Sequence, residues 1–512
     1  MVDTAPHKKT VQSALTPAEV QRFIATLPAE HPARALEMVV QQLDALTDDM
    51  EPGARFAVVS QLDEASHASV EQVFHEYLGT LSQDERSGDM RLWQLAHDFW
   101  TNTADQYGTC ASVLFDSDEK GIQQLRDHLP RIIARSLFAA GESVKWKSFR
   151  YLATPLPLWC GAGSIYLLAE KYGFADKQLQ IYPGPGGISS SRAELLKILF
   201  FQVASLNSLQ VVEMEIADRL ITQLLPNFIF SEKKDDHSFY WINLGAEQEP
   251  SRINNPPPIS RTLRYFGAGE AVTRLQLMKQ EAENTHSIPA KICQNDKFEF
   301  HDFLNVIDHL ATQWSHTPPQ RQHERHRVHH RIAILRGFVN SFVMTSPEFG
   351  GKPAGLPLEN WIVEDVSQGG FGALVKQHRN DWVQVGALLA LQPQGANSWI
   401  IGLIRRVRHA SDKEIRVGIQ TLSRRPIALE VRTRAMTSAL LHSTLPVIWF
   451  HDDDPKEPMR FVFPAGVLNE GDVLEFTFNG RGLVLQPLSF LERGSDYDLV
   501  RCKIMAAARK EG

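Results

Sequence analysis

Four cysteines in 512 residues, Cys110, Cys160, Cys293 and Cys502, are too few and too scattered to build a disulfide framework. None stands in a CxxC pair, so the usual spacing of a structural zinc site is missing as well. An excess of basic charge is also absent. The formal net charge is −7, whereas a protein that neutralises nucleic-acid phosphates carries a surplus of Lys and Arg, so DNA and RNA are not expected partners. Long apolar runs are lacking too. The stretch from Tyr151 to Ala169 is broken by Pro155 and Pro157, and that from Trp382 to Ile404 by Pro393, Gly395 and Asn397. Neither offers the continuous apolar helix that spans a bilayer. The opening Met1-Val-Asp-Thr-Ala-Pro-His-Lys-Lys has no apolar core of a secretory signal. The expected address is the cytoplasm, without membrane insertion.

What is present reads as ordinary globular protein, with 43% hydrophobic and 22% charged residues. The length predicts about three domains. The first half has helical texture. Thr16-Pro17-Ala18-Glu19 combines a capping residue, a first-turn proline and a glutamate three residues after the cap. Ala35, Leu36, Val39, Val40, Leu43 and Leu46 then fall on one helical stripe. Ser191 to Leu206 is apolar nearly all round and is expected to be buried. After a break at Asn207-Ser208, Leu209, Val212, Ile216, Leu220 and Leu224 line one face up to Pro226, which predicts a helical hairpin.

Glu247 to Pro258, with Asn254-Asn255-Pro256-Pro257-Pro258, reads as a linker or long loop. A further helix is expected from about His301 to Trp314, and a second break at Ser315-His316-Thr317-Pro318-Pro319. Beyond it the texture turns to β. Short apolar stretches, Ala333–Val343, Trp361–Val363, Gly372–Val375, Ala387–Leu391, Trp399–Arg408 and Ile415–Leu422, predict a small antiparallel barrel. A last set, Val447–Phe450, Arg460–Phe463, Val473–Phe478, Leu483–Leu488 and Asp498–Ile504, predicts a second small β module, with Asn479-Gly480 as a hairpin turn. The expected fold class is therefore multidomain α+β. It comprises an α-helical domain over 1–245, linker and further helices over 246–320, a β-barrel over 321–435 and a C-terminal β module over 436–512.

At the entry to the first β region stands Arg327-Val-His-His-Arg331. Further along, at the end of a short strand, stands Asp365-Val-Ser367-Gln-Gly369-Gly370. In this order the two segments resemble the two-part signature of the PilZ family, RxxxR followed by [DN]xSxxG. Asp381-Trp-Val-Gln-Val-Gly386-Ala-Leu-Leu, Trp399-Ile-Ile-Gly402-Leu-Ile-Arg405-Arg406 and Ile415-Arg-Val-Gly418-Ile-Gln resemble that family's later barrel strands. The resemblance runs from Arg321 to Arg432. It implies a bacterial receptor for cyclic di-GMP rather than an enzyme, with ligand contacts from Arg327, Arg331, Asp365, Ser367 and Gly370, and secondary contacts from Arg325, Gly369 and Arg406. The overall layout resembles the long PilZ receptors tied to surface attachment and type IV pili, which implies a protein partner of unspecified identity controlling attachment or motility.

The chemistry of these residues suits such a ligand. Cyclic di-GMP offers two phosphates and two guanines. An arginine can fork onto the guanine O6 and N7, stack on the purine or clamp a phosphate. An ionised Asp365 accepts from the guanine N1–H and exocyclic amine. The Ser367 hydroxyl donates or accepts nearby, and Gly370 removes a Cβ where backbone comes close to ligand or turns sharply. The arginines are expected on a flexible segment ahead of the barrel, with Ile332 starting the strand and the segment from Arg321 to Arg331 ordering on the ligand. Arg321 and Arg325 form an overlapping RxxxR, and Arg325 is expected to reach a phosphate.

Other readings compete. A PilZ-like barrel without ligand would be a protein-interaction module. His323, His326, His329 and His330 are spaced as metal ligands, but no acidic or second cluster completes a shell. His301-Asp302 with Asp308-His309 resembles part of an HD phosphohydrolase site, with only His286 to extend it. Tyr182-Pro-Gly184-Pro-Gly186-Gly187 lacks the GK[ST] of a phosphate loop, Gly267-Ala-Gly269 is weaker still, and Asp452-Asp453-Asp454 lacks calcium-loop spacing. No cofactor or metal is expected.

Overall fold

The computed structural model describes residues 16–506 apart from 48, 82–88, 116–117, 184–186, 294–295, 318–322, 347–354, 377–381, 412, 434–443, 452–457 and 470. Arg321, Gly184, Gly186, Asp381 and the Asp452–Asp454 run thus lie outside the described residues. The chain divides into two compact units, one of 1–206 with 211–319, the other of 207–210 with 320–512.

The first unit is built on α1 (Pro17–Ile24), α2 (Pro32–Asp44), α3 (Pro52–Leu81), α4 (Met90–Ala111), α5 (Glu119–Leu125), α6 (Leu129–Phe149), α7 (Leu156–Lys171), α8 (Ser191–Val203) and α9 (Val211–Leu224). The capping signal at Thr16 opens α1, where the Glu19 carboxylate accepts from the Thr16 backbone N–H at 3.0 Å. The stripe on α2 is buried from Ala35 to Leu43. The expected helical hairpin is α8 and α9. Ser190 caps α8 by accepting from the Ala193 N–H at 3.2 Å, and α8 is buried all round because it packs on α6, α7 and α9.

These inner helices also bury charge. Lys145 of α6 lies 3.1 Å from Glu142, 3.3 Å from Glu215 and 3.2 Å from Asp218. Lys197 of α8 lies 3.4 Å from both Glu142 and Asp218. Closer to α3, the buried Asp63 accepts from Tyr107 Oη at 2.7 Å and from Tyr182 Oη at 3.1 Å, with Arg135 Nη1 3.7 Å away. Ions so far from water persist only when paired and hydrogen-bonded.

The strands β1 (Leu179–Gln180) and β2 (Ile188–Ser189) pair with each other. A sheet that the sequence gives little sign of follows α9. Its strands β3 (Ile229–Ser231), β4 (Tyr240–Asn243), β5 (Ser251–Arg252) and β6 (Leu263–Gly267) lie in the order β3-β6-β4-β5. β5 sits inside the segment expected as a linker. That segment is pinned rather than loose: Trp241 Nε1 donates to Asn255 O at 2.8 Å, and Arg252 donates to the Gln313 and Ser315 carbonyls. Three helices complete the unit, α10 (Ala271–Thr285), α11 (Ala290–Cys293) and α12 (Phe300–Gln313).

The second unit holds two closed antiparallel barrels. The first comprises β7 (His326–Arg336), β8 (Glu359–Ser367), β9 (Gly370–Lys376), β10 (Leu388–Pro393), β11 (Ile400–Ser411) and β12 (Glu414–Ser423), in the cyclic order β10-β11-β12-β9-β8-β7. The expected strand Ala333–Val343 ends early. Gly337, at φ 83°, turns the chain into α13 (Phe338–Thr345). The second barrel comprises β13 (Pro426–Thr433), β14 (Thr444–Phe450), β15 (Met459–Pro464), β16 (Leu474–Phe478), β17 (Arg481–Arg493) and β18 (Tyr497–Ala506). The sequence reading assigns the residues of β13 to the first barrel, but β13 pairs with β14 and β16 and closes the second. The Asn479-Gly480 hairpin joins β16 to β17 as expected, both residues at positive φ.

The two barrels share a core. Leu335, Phe338 and Leu403 of the first cluster with Ile448, Phe450, Val462 and Tyr497 of the second. Asp496, ahead of β18, accepts from the Phe338 backbone N–H at 2.7 Å and so caps α13. Among the described residues, no helix is long and apolar enough to cross a membrane.

Candidate functional site

Strands β8 and β9 form a hairpin whose two-residue turn is Gln368-Gly369, with Ser367 opposite Gly370. The turn is fastened to its surroundings. Thr421 N–H of β12 donates to Gly369 O at 2.9 Å, Arg424 donates to Gln368 O at 3.2 Å, and Ser367 Oγ donates to Gly370 O at 3.3 Å. β9 pairs with β12 on its other side. A Cβ on Gly370 would fall on the Ile419 carbonyl oxygen of β12, well inside contact distance. The close approach that demands this glycine is therefore to a neighbouring strand.

The ladder register then builds a floor on the outer face of the barrel. Asp365 of β8 pairs with Gly372 of β9, Gly372 with Gly418 of β12, and Gly418 with Arg406 of β11. Two adjacent glycines leave bare backbone between a carboxylate at one end and a guanidinium at the other. Gly372 also makes room for the carboxylate: a Cβ there would lie 2.6 and 2.7 Å from the two Asp365 carboxylate oxygens. A cleft of about 580 Å³ lies over this floor. Among the described residues, its walls carry five guanidinium groups, Arg325, Arg405, Arg406, Arg408 and Arg416, against two carboxylates, Glu364 and Asp365. On a chain of net charge −7, that local cationic excess favours an anionic ligand.

Of the residues expected from the sequence, Asp365, Ser367, Gly369, Gly370, Arg325 and Arg406 line the cleft, whereas Arg327 and Arg331 do not. The expectation of a flexible segment ahead of the barrel is overturned for both arginines. The strand starts at His326, not at Ile332, because β7 continues its pairing with β8 past a bulge, Arg327 opposite Asp365 and Arg331 opposite Ile362. Both side chains are exposed, and neither guanidinium makes a hydrogen bond or ion pair with the described residues. It is Arg325 whose Nη1 donates to Asp365 Oδ1, at 2.8 Å.

Sequence reasoning passed over Gly372, Gly418, Arg405, Arg408 and Arg416 as site residues. Their signal is the two-residue alternation in which Arg406 and Arg408 flank buried Val407, and Arg416 and Gly418 flank buried Val417. Arg405, at the cleft wall, is engaged on its other side: it donates to Gln420 Oε1 at 2.7 Å and grips Glu492 of β17 with both terminal nitrogens, at 2.9 and 2.7 Å. Tyr497 Oη lies 3.0 Å from Glu492 Oε1 and 3.0 Å from Gly386 O.

The candidate phosphohydrolase residues of α12 are engaged with other partners. His309 Nε2 lies 2.6 Å from Ala204 O, Asp308 pairs with Lys279 at 2.7 Å, and His301 meets Asn305. No group of three His, Cys, Asp or Glu residues that could hold a metal occurs among the described residues.

Comparison with known families finds two matches. The model for the N-terminal domain of the cyclic-di-GMP receptor FimW matches residues 18–235, and the model for its middle PilZ domain matches residues 355–426. The second stretch takes in β8 to β12, hence the floor and most of the cleft wall, and begins after β7. No curated protein matches the chain.

Proposed function

The chain belongs to the PilZ-containing cyclic-di-GMP receptors, and on that premise we propose that it takes up the dinucleotide on the glycine floor of its first barrel. The observation that carries this reading is the ladder row from Asp365 through Gly372 and Gly418 to Arg406. A planar guanine lies flat where no Cβ intrudes. The Asp365 carboxylate accepts from the guanine N1–H and exocyclic amine, two donors side by side that match two carboxylate oxygens. Ser367 supplies a hydroxyl at the turn. Arg327 stands across the ladder from Asp365 with its donors uncommitted among the described residues, and with Arg331 it closes over the ligand, stacking on a base or clamping a phosphate. Arg325 presents to Asp365 the same kind of N–H donors that guanine would, so it leaves the carboxylate when the ligand arrives.

The role that follows is that of a receptor whose occupied and empty states differ in what they present to a protein partner. Arg405 offers one route. It lines the cleft and also holds Glu492 of the second barrel, so a shift of its guanidinium toward an anion is felt at Tyr497. We place the output in control of surface attachment or of pilus or flagellar motility, a reading that rests on the resemblance of the layout to the long PilZ receptors.

Calorimetric titration of cyclic di-GMP into the full chain, with GTP and cyclic di-AMP as controls, tests the assignment. Selective micromolar or tighter binding is expected, abolished in Arg331→Ala with thermal stability retained. Wild-type affinity in both Arg327→Ala and Arg331→Ala would remove those arginines from the site, and no binding by the wild-type chain would leave a protein-interaction barrel.

A further inference from the structure

The cleft extends beyond the residues so far used. Arg408 of β11 and Arg416 of β12 are direct partners in the ladder, exposed on the same outer face as Arg406, and both line the cleft. Two like charges placed opposite each other on adjacent strands repel. One of the pair has a counterion: Arg416 Nε lies 3.1 Å from Glu364 Oε2. Arg408 makes no hydrogen bond or ion pair with any described residue. Arg406, Arg408 and Arg416 thus stand together on β11 and β12 along the cleft, with Arg416 reaching across to Glu364, the residue before Asp365. Three strand spacings of about 4.8 Å each separate β8, which carries Asp365, from β11, which carries Arg408, roughly 14 Å and a span on the scale of a dinucleotide; Arg416, on β12, stands between them.

We infer that Arg408 and Arg416 form a phosphate subsite, outside the two-part signature, that grips a phosphodiester of the ligand bound at Asp365. The inference rests on the reading of the cleft as the cyclic di-GMP site. A phosphodiester has two unesterified oxygens, and two guanidinium groups in register can each take one, which turns mutual repulsion into shared attraction to an anion. The empty cleft pays for that repulsion and the occupied one does not. Discrimination follows, because a mononucleotide held by its base at Asp365 carries no phosphodiester for the pair to grip.

The test is titration of cyclic di-GMP into full-length wild type, Arg408→Ala, Arg416→Ala, Arg408→Lys and Arg331→Ala at several salt concentrations. Loss of affinity of about tenfold is expected in Arg408→Ala and in Arg416→Ala, with a shallower dependence on salt than wild type. Arg408→Lys should restore the salt dependence, since it keeps the charge. Arg408→Ala binding with wild-type affinity and wild-type salt dependence, while Arg331→Ala fails to bind, would overturn the subsite and leave the receptor reading standing. A wild-type chain that takes up no cyclic di-GMP would overturn both. Thermal melting of each variant separates a folding defect from a lost contact, and a folded Arg408→Lys keeps the comparison usable if an alanine variant does not fold.

Discussion

Replacing Gly372 with alanine should separate binding from folding more cleanly than any change to a charged residue. The new Cβ would stand 2.6 and 2.7 Å from the Asp365 carboxylate oxygens and 2.8 Å from its Cγ. The obstacle is the end of a side chain, so the barrel can accept the methyl group by turning Asp365 aside. The stability terms are small and opposed. Alanine in place of glycine at negative φ stabilises by about 0.4–1 kcal/mol through the unfolded chain, and losing the half-exposed Arg325–Asp365 pair costs about 0–1 kcal/mol. Binding should suffer far more. A carboxylate turned away from guanine forfeits charge-assisted hydrogen bonds worth about 1.5–3 kcal/mol, or roughly 10- to 150-fold in Kd. The neighbouring control is Gly370→Ala, whose Cβ meets the Ile419 backbone and cannot be accommodated without separating β9 from β12. Calorimetry with cyclic di-GMP and a thermal melt on each variant read out the two effects. Gly372→Ala should melt with wild type and bind poorly, and Gly370→Ala should melt early. A Gly372→Ala protein that binds within twofold of wild type would refute the role given to Asp365.

Elsewhere the helical unit makes its own predictions. Lys145→Ala strips a shared cation from Glu142, Glu215 and Asp218 and should cost roughly 3–5 kcal/mol of unfolding free energy in urea, while a loss under 1 kcal/mol would mean that water reaches the cluster. Burial lifts the Asp63 carboxyl to about 6, against the pull of Arg135. A raised carboxyl favours the fold below its unfolded value near 3.9, and that contribution is lost as pH climbs through about 6. Asp63→Asn should therefore gain on wild type by on the order of 3 kcal/mol between pH 4 and pH 7, and parallel pH profiles for the two proteins would contradict it.

Much of this architecture is legible in the sequence where a local period or turn chemistry decides it. The stripe on α2, the all-round apolar α8 and the Asn479-Gly480 turn need no knowledge of distant residues. The elements that escape are set by distant partners. β5 has two residues, and its place depends on pairing with Tyr240 and Trp241. Residues 326–331 become strand because Asp365 and Val366 are available to pair with them. The residues of β13 look like a last strand of the first barrel, and only the ladder to β14 shows which barrel they close. The site divides in the same way. Asp365, Ser367 and Gly370 stand together in one turn and can be read as a motif. Gly372, Gly418 and Arg406 fall into one row only because β9 lies beside β12, a neighbour 38 or more residues along the chain.

The core common to the two barrels bears on how such a receptor can be taken apart or reassembled. A chain ended at the β12–β13 junction would leave Leu335, Phe338 and Leu403 facing water where Ile448, Phe450 and Tyr497 had been, and α13 would lose the Asp496 carboxylate at its first turn. The first barrel is thus not a cassette that recombination can move by itself. Gene fusions that carry the first barrel into a new setting must carry its companion or repaint this face with polar residues, and fragments prepared for study are best kept through β18.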